Sequence, residues 1–253
     1  MTISIITATY NSAATIRNTI DSILNQTFKD IDYVVVDGGS KDGTIDIIKE
    51  YESRFEGRLR WISEKDNGIY DAMNKGLKMA TGDIIGILNS DDIYEDSTVL
   101  ADIIKAFTDS KADAVFGNLL FVKENDTNAI VRTWQGSDYE EGSFLKGWHP
   151  AHPTFYVKND IYRKYGYFDV SFEVSADFEL MLRFIEKERI KTHYLNRNIV
   201  RMRMGGESTG SLSKIIKGNK NVLRAFKKNN LKPLPFYLVR RILPKIINIL
   251  KTR

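Results

Sequence analysis

Apolar residues in the first half of the chain fall into short unbroken runs, separated by stretches in which they recur every three or four positions. Ile3-Ser4-Ile5-Ile6-Thr7, Tyr33-Val34-Val35-Val36 and Asp83-Ile84-Ile85-Gly86-Ile87-Leu88-Asn89 are runs of the first kind. A strand buried on both faces of a parallel sheet reads in this way. Leu59-Arg60-Trp61-Ile62 predicts a further strand. The intervening spacing is helical: Ile16, Ile20, Ile23 and Leu24; then Ile45, Ile48 and Tyr51 after a start near Thr44. Ala72, Met73, Gly76, Leu77 and Ala80 mark a third helix over 69–79, stopped by Thr81-Gly82. Strands alternating with helices predict βαβ units, hence an α/β fold with a mostly parallel central sheet flanked by helices.

Beyond residue 90 the pattern changes. Val99, Leu100, Ile103, Ile104 and Phe107 predict a helix, 112–118 a strand, and 119–134 a hairpin turning at Asn125-Asp126-Thr127-Asn128. Residues 137–153 are irregular and rich in Gly, Trp and His, long enough to be a functional loop. A short strand over 154–157, a short helix over 160–165 and a longer helix over 175–187 follow, then a strand pair around Tyr194 and 199–204. Helices are predicted over 212–229 and, after a proline break, over 235–251.

Polar residues collect where the buried runs end, which is where open α/β sheets bind ligands. Asp37-Gly38-Gly39-Ser40 leaves the second strand: its carboxylate could accept hydrogen bonds from a base or ribose, and it could equally be a tight turn. Neither GxGxxG nor a P-loop is present. Ser90-Asp91-Asp92 ends the fourth strand. Adjacent carboxylates repel unless a cation or donors offset the charge, and hard oxygens suit Mg²⁺ or Mn²⁺, so a metal role is preferred here over helix capping. Asp177 lies in the first turn of a helix, where the dipole alone would account for a carboxylate. His149, His152 and His193 lack metal-ligand spacing; the first two sit on the long loop, with Trp134 and Trp148 available to stack on a sugar ring or simply to pack.

Composition narrows the class. The chain has 253 residues, 42% hydrophobic and 28% charged, enough for one sizeable core or one domain with an appendage. There is no cysteine, so disulfide and thiolate chemistry are excluded. The N-terminus is not read as a signal peptide, and no apolar run reaches the roughly 20 residues of a membrane-spanning helix. Net charge is +4, but from Lys214 to Arg253 Asp and Glu are absent while Lys and Arg recur. The helix over 235–251 therefore suits an anionic membrane interface, or packing on its own domain or a second subunit in a homodimer.

Taken together, Ser4-Ile5-Ile6-Thr7-Ala8-Thr9-Tyr10-Asn11, Val35-Val36-Asp37-Gly38-Gly39-Ser40-Lys41-Asp42-Gly43-Thr44, the run from Glu64 to Gly76 and Asn89-Ser90-Asp91-Asp92 resemble glycosyltransferase family 2, the inverting GT-A transferases, in its O-antigen and colanic-acid-type branch. The resemblance implies a GT-A domain over 1–210, divided into a nucleotide-sugar half (1–118) and an acceptor half (119–210), with a basic tail over 211–253. It implies donor binding by Thr7, Ala8, Thr9, Tyr10, Asn11, Asp37 (on the base), Gly38, Gly39, Ser40, Asp66, Asn67, Gly68, Tyr70, Asn74, Lys75, Ser90 and Asp91. Asp92, with Asp91, would hold Mn²⁺ or Mg²⁺ on the diphosphate. Asp177 matches the catalytic base, although many members carry Glu-Asp where this chain has Ala176-Asp177. Trp148, His149 and His152 are the acceptor-side candidates. The expected reaction is single addition of a sugar, from a UDP-hexose or UDP-N-acetylhexosamine ahead of GDP- or dTDP-sugars, to a lipid-linked saccharide at the cytoplasmic face of the membrane. No nucleic-acid partner is expected. A non-catalytic sugar-nucleotide-binding module and a nucleotidyltransferase are the rival readings; the latter lacks its glycine-rich, lysine-containing loop.

Overall fold

The computed structural model describes residues 1–205 and 212–241. Its strands are β1 (Ile3–Thr9), β2 (Ile31–Asp37), β3 (Leu59–Ser63), β4 (Ile84–Ile87), β5 (Ile93–Tyr94), β6 (Ala114–Lys123), β7 (Asp126–Trp134), β8 (Tyr156–Lys158) and β9 (Thr192–Arg203). Its α-helices are α1 (Ile16–Leu24), α2 (Thr44–Tyr51), α3 (Ile69–Met79), α4 (Val99–Ser110), α5 (Ser143–Lys146), α6 (Asn159–Tyr165), α7 (Ala176–Met181) and α8 (Leu212–Lys228). These strands join one sheet in the order β3-β2-β1-β4-β8-β6-β9-β5, with β7 also paired to β6. The pairs β3–β2, β2–β1, β1–β4 and β6–β9 are parallel, while β8 is antiparallel to both β4 and β6. The strands β1, β2, β3, β4, β6 and β9 therefore run the same way and deliver their C-terminal ends to one rim.

Strand residues alternate between two cores, as the period of two requires. Ile6, Ala8, Val34, Val36, Ile85 and Ile87 meet α3 and α7 on one face. Ile3, Ile5, Tyr33, Val35, Ile84 and Leu88 meet α1 and α4 on the other. Burial on both faces explains why these strands read as continuous apolar runs. The C-terminal part joins the first core: Val222, Ala225 and Phe226 of α8, and Tyr237 beyond it, are buried there. The Leu234 amide donates to the Leu145 carbonyl at 3.0 Å. Of the helix expected over 235–251, residues 237–241 are helical and 242–251 lie outside the described residues.

Several expectations are corrected. The strand pair around Tyr194 and 199–204 is one strand, β9, whose register against β6 slips near Asn118. The hairpin turns at Glu124-Asn125, overlapping only the first of the four predicted residues. Two-residue β5 is too short to carry a pattern. The helix over 175–187 starts at Ala176 and turns π-helical over Leu182–Lys187, with the Glu188 amide reaching back five residues to the Arg183 carbonyl at 2.9 Å. The irregular 137–153 stretch holds α5 and a 3₁₀ turn over His152–Thr154.

Gly76 sets the distance between α3 and the sheet. A Cβ there would lie 2.4 Å from Ile6 Cγ2, a fixed branch of a buried β-branched side chain. Helix propensity alone would make Gly76→Ala stabilising by about 1 kcal/mol. Overpacking of about 1–3 kcal/mol opposes this and should win. The variant is expected to unfold at a lower urea midpoint; a midpoint above wild type would contradict this packing.

Candidate active site

The rim is assembled from loops leaving parallel strands. The turn after β1 contains Asn11 in the left-handed region, with φ of 48°. Its amide donates to Ser40 Oγ at 2.7 Å, and its side-chain oxygen accepts from the Lys41 amide at 3.0 Å. The Ala13 amide donates to Asp42 Oδ2 at 2.9 Å. The loops after β1 and β2 are thus one hydrogen-bonded unit.

Asp37, expected to face a base, is buried and engaged within that unit. Its Oδ2 accepts from the amides of Gly39 (3.0 Å) and Ser40 (2.9 Å) and from Ser63 Oγ (2.6 Å). The Ser40 hydroxyl donates to Oδ1. Here the carboxylate shapes the loop and ties it to β3. The loop's open side is lined by other groups: a Cβ on Gly38 would lie 2.7 Å from Asp66 Oδ2 and 3.3 Å from the Tyr10 ring. Three separate sequence motifs therefore meet at Gly38. The Asp66 loop is closed by its own bond from the Gly68 amide (2.9 Å), and the Asn67 amide donates to Asp71 Oδ2 at 3.0 Å. Lys75 anchors the loop by pairing with Glu64 at 2.9 Å and donating to the Lys65 carbonyl at 3.1 Å; the Glu64 bond raises its pKa. Ala8 is buried in the sheet core. Thr7 is buried too and donates to the Leu88 carbonyl at 2.8 Å, so it braces β1 against β4.

Next to this cradle stand Asp91 and Asp92. Asp92 is 0% exposed. Its Oδ2 accepts from Asn89 Nδ2 at 3.1 Å, while its Oδ1 is buried without a hydrogen-bond partner, as are Asn89 Oδ1 and Thr9 Oγ1. Burial, and then the Asp91 charge, push the Asp92 carboxyl well above the ordinary carboxylate range; burial also raises Asp91. Ser90, half of an Oγ–Oγ contact with Ser12 at 2.9 Å, fixes the preceding turn. Among the described residues, the cation that acts on both acids is Arg203, which the sequence reading missed. Ile93 pairs with Arg201 in the antiparallel β5–β9 ladder, which brings the end of β9 alongside the Ser90–Asp92 turn. Arg203 favours the charged form of both acids. Only its position near the end of a basic strand hinted at this. Among the described residues, no three His, Asp or Glu side chains form a self-contained metal cage. Two carboxylates with an unsatisfied buried oxygen fit a cation that completes its shell with water and phosphate.

Across the rim, Tyr70 of the Asp66 loop helix α3 donates its hydroxyl to Asp177 Oδ1 at 2.9 Å. Burial and the Asp177 charge raise the Tyr70 pKa well above normal, so it remains a donor. Asn74 makes two bonds to the Phe168 backbone (2.9 and 3.0 Å), and the Phe168 ring packs on Tyr70 and on His152, with centroids at 5.5 and 5.6 Å. Asn74 is thus a brace for this aromatic wall. His152 has its pKa lowered by burial, with the Asp177 charge acting in the opposite sense. Ala176 is buried in the core, so an acid at that position would have faced packing side chains. A second unanticipated cation, Arg241, lies 5.3 Å from the Phe178 ring centroid and senses the Asp177 charge.

The 137–148 loop is held by Glu186, buried in the π-helical turn, which accepts from the Gly142 (2.9 Å) and Phe144 (3.3 Å) amides and the Tyr139 hydroxyl (3.2 Å). Burial first, then Glu186, push the Tyr139 hydroxyl up to about 12. Trp148 donates to Ser137 Oγ at 2.9 Å and packs edge-on to Phe116 and Phe144. His149 lies between the Trp134 and Phe178 rings, at 5.0 and 5.5 Å. Both residues are half-buried parts of the aromatic wall beside Phe178.

This mixed sheet with flanking helices is the GT-A fold of nucleotide-sugar transferases. It superposes on S. aureus TarS in complex with UDP-GlcNAc with a TM-score of 0.69, at 17% identity, over 96% of this chain and 73% of that one. The match to a longer TarS chain covers 43% of its length. The mannosyltransferase PcManGT from Pyrobaculum calidifontis, in complex with GDP-Man and Mn²⁺, gives 0.67 at 21% identity over 99% and 72%. In sequence, residues 4–170 match the Glycosyl transferase family 2 model, and the chain belongs to that family. A PGL/p-HBAD biosynthesis glycosyltransferase of Mycobacterium bovis is 29% identical over 194 residues, 76% of this chain and 73% of the relative.

The raised Asp92 pKa makes a signed prediction. A carboxyl raised in the folded state favours folding when protonated, so its ionised form weakens the fold as pH climbs above the unfolded value of about 4. Asp92→Asn should therefore melt above wild type at pH 8 without added metal, and the gain should fade toward pH 4. Thermal melts across that range check it; a variant less stable than wild type at pH 8 would mean that Arg203 outweighs the burial cost.

Proposed function

We propose that this chain is an inverting, metal-dependent glycosyltransferase that moves one sugar from a nucleotide-sugar donor to a lipid-linked saccharide acceptor. The observation that carries the reading is the Tyr70–Asp177 hydrogen bond, which joins the Asp66–Lys75 donor motif to a carboxylate at the start of α7. The candidate donor cradle and the candidate base are thereby parts of one site.

The nucleotide would lie against Thr9, Tyr10, Asn11, Gly38, Gly39 and Asp66, with Asp37 holding the loop in shape and Lys75 holding the Asp66 side. Ser90 and Asp91 would border the ribose. Asp92, assisted by Asp91, would hold Mn²⁺ or Mg²⁺, which when bound offsets the charge on the departing diphosphate. The bound divalent ion in the PcManGT complex supports that assignment. Asp177 takes the proton from an acceptor hydroxyl as its oxygen bonds to the anomeric carbon; the bond from that carbon to the diphosphate breaks, and one displacement inverts the configuration. Tyr70 orients the carboxylate, and His152, neutral near pH 7 given its lowered pKa, adds no competing charge. Trp148, His149 and His152 border the acceptor side, where aromatic faces suit a sugar ring. UDP is favoured as the nucleotide, as in the TarS complexes with UDP and UDP-GlcNAc, with GDP as in PcManGT or dTDP the alternatives. The mycobacterial relative, named as a PGL/p-HBAD biosynthesis glycosyltransferase, supports a place in a bacterial glycoconjugate-building pathway.

Asp177→Asn retains shape and can still accept the Tyr70 hydroxyl through its amide oxygen, but it cannot take a proton. Transfer to acceptor should fall by about 10²–10⁴-fold, the usual share of a general base. Donor affinity measured in parallel should stay near wild type. Near-normal transfer by the folded variant would remove Asp177 from the mechanism.

A further inference from the structure

The inner face of α8 is fixed by the core, and its outer face is unusual. Val222, Ala225 and Phe226 are buried, whereas Ile216, Lys220, Leu223 and Lys227 lie at i, i+4, i+7 and i+11 on one exposed stripe. Beyond the helix, Leu234, Phe236 and Val239 are exposed as well, Phe236 at 80% and Val239 at 57%. Phe236 adopts a φ of 60°, a left-handed conformation costly for a bulky residue. The cations of the inner edge are already engaged: Lys217 pairs with Glu173, Lys228 with Asp169 and Glu179, and Arg224 donates to Ser171. Lys220, Lys227, Lys232 and Arg240 form no ion pair with any described residue. From residue 208 to the end the sequence contains no Asp or Glu.

Large apolar side chains set among unpaired cations select a partner with an anionic surface and an apolar interior. A second copy meeting this surface across a two-fold axis would bring its cations against one another with no acid between them. Nucleic acid would satisfy the lysines and leave Phe236, Val239 and Leu223 in water. We propose that the outer face of α8, together with the 232–240 segment, is a docking surface for a bilayer containing anionic lipid. Phe226, on the buried face of the same helix, packs against Phe178 at 5.8 Å, next to Asp177, and against Tyr237 at 4.9 Å. Docking would therefore hold the site mouth at the membrane, where a lipid-linked acceptor resides; that last link rests on the transferase reading, whereas docking itself does not.

The test uses the full chain without donor or acceptor, so its outcome is independent of catalysis. Sedimentation with phosphatidylcholine vesicles is compared with vesicles that also contain phosphatidylglycerol. Binding should require the anionic lipid and weaken with salt. It should fall at least about tenfold in Phe236→Ser/Val239→Ser, and likewise in Lys220→Glu/Lys227→Glu, since a loss of 1.4 kcal/mol is tenfold. Melting temperatures should stay close to wild type. Phe236→Trp, a conservative change, should add an emission that shifts to the blue on the anionic vesicles. Equal binding to both vesicle types, unaltered binding by both double variants, an added emission in Phe236→Trp that vesicles leave unshifted, or a dimer or a nucleic-acid complex that consumes this surface would overturn the proposal.

Discussion

Two neighbouring carboxylates at the end of a strand, Asp92 buried and Asp91 half-buried, are the constraint around which the site is organised. Asp92 is closed off from water, its charge opposed first by burial and then by Asp91, and one of its oxygens has no donor. Such a pair persists only if the surrounding structure over-determines it. The bracing comes from several elements: Asn89 Nδ2 on one oxygen, Thr19 Oγ1 donating to the Asp92 carbonyl at 2.7 Å, and the Arg203 charge brought near both acids at the end of β9. The fold holds a pair of acids whose charge a divalent cation would offset.

The rest of the molecule brings distant segments to that place. Parallel strands give the loops after β1, β2 and β4 a common rim, and the loop after β3 joins them through the Ser63–Asp37 bond. Helix α3 then spans from the Asp66 loop to Asp177 by way of Tyr70. A buried network secures the start of α7: Glu179 accepts from Arg183 at 3.3 Å and from Asn229 at 3.0 Å, while Arg183 also donates to the Tyr167 carbonyl at 2.7 Å. Positioning of the candidate base thus draws on α3, on the 165–168 segment and on the end of α8, which lies beyond the residues matched by the family model.

The doubly buried strands and their helices were legible because each carries a local period, and α3 spans the expected residues. Asp91 and Asp92 stood out because adjacent acids at a strand end repel each other, whereas Asp177, an ordinary residue in a helix's first turn, was singled out only by the family resemblance. What the sequence hid is non-local. Tyr70 and Asp177 are 107 residues apart, and the end of β9 that carries Arg203 reaches the acids only beside a two-residue strand with no pattern of its own. Asp37 shows the converse: its motif suggested contact with a ligand, and the structure adds a second task that no local pattern announces, accepting hydrogen bonds from Gly39, Ser40 and Ser63 that shape the loop. Likewise, the exposed and buried faces of α8 could be told apart only once its packing on Phe178 was known.

On the proposed function, the rim beside Asp92 binds a nucleoside diphosphate sugar through a divalent cation. Calorimetric titration of the wild-type chain with UDP-, GDP- and dTDP-sugars, in Mn²⁺ and again in EDTA, tests it most directly. At least one donor should bind in Mn²⁺, and its affinity should drop by about tenfold or more when the cation is removed, because the diphosphate would then face two uncompensated carboxylates. Equal affinity in EDTA, or no binding by any of the donors in Mn²⁺, would contradict the account.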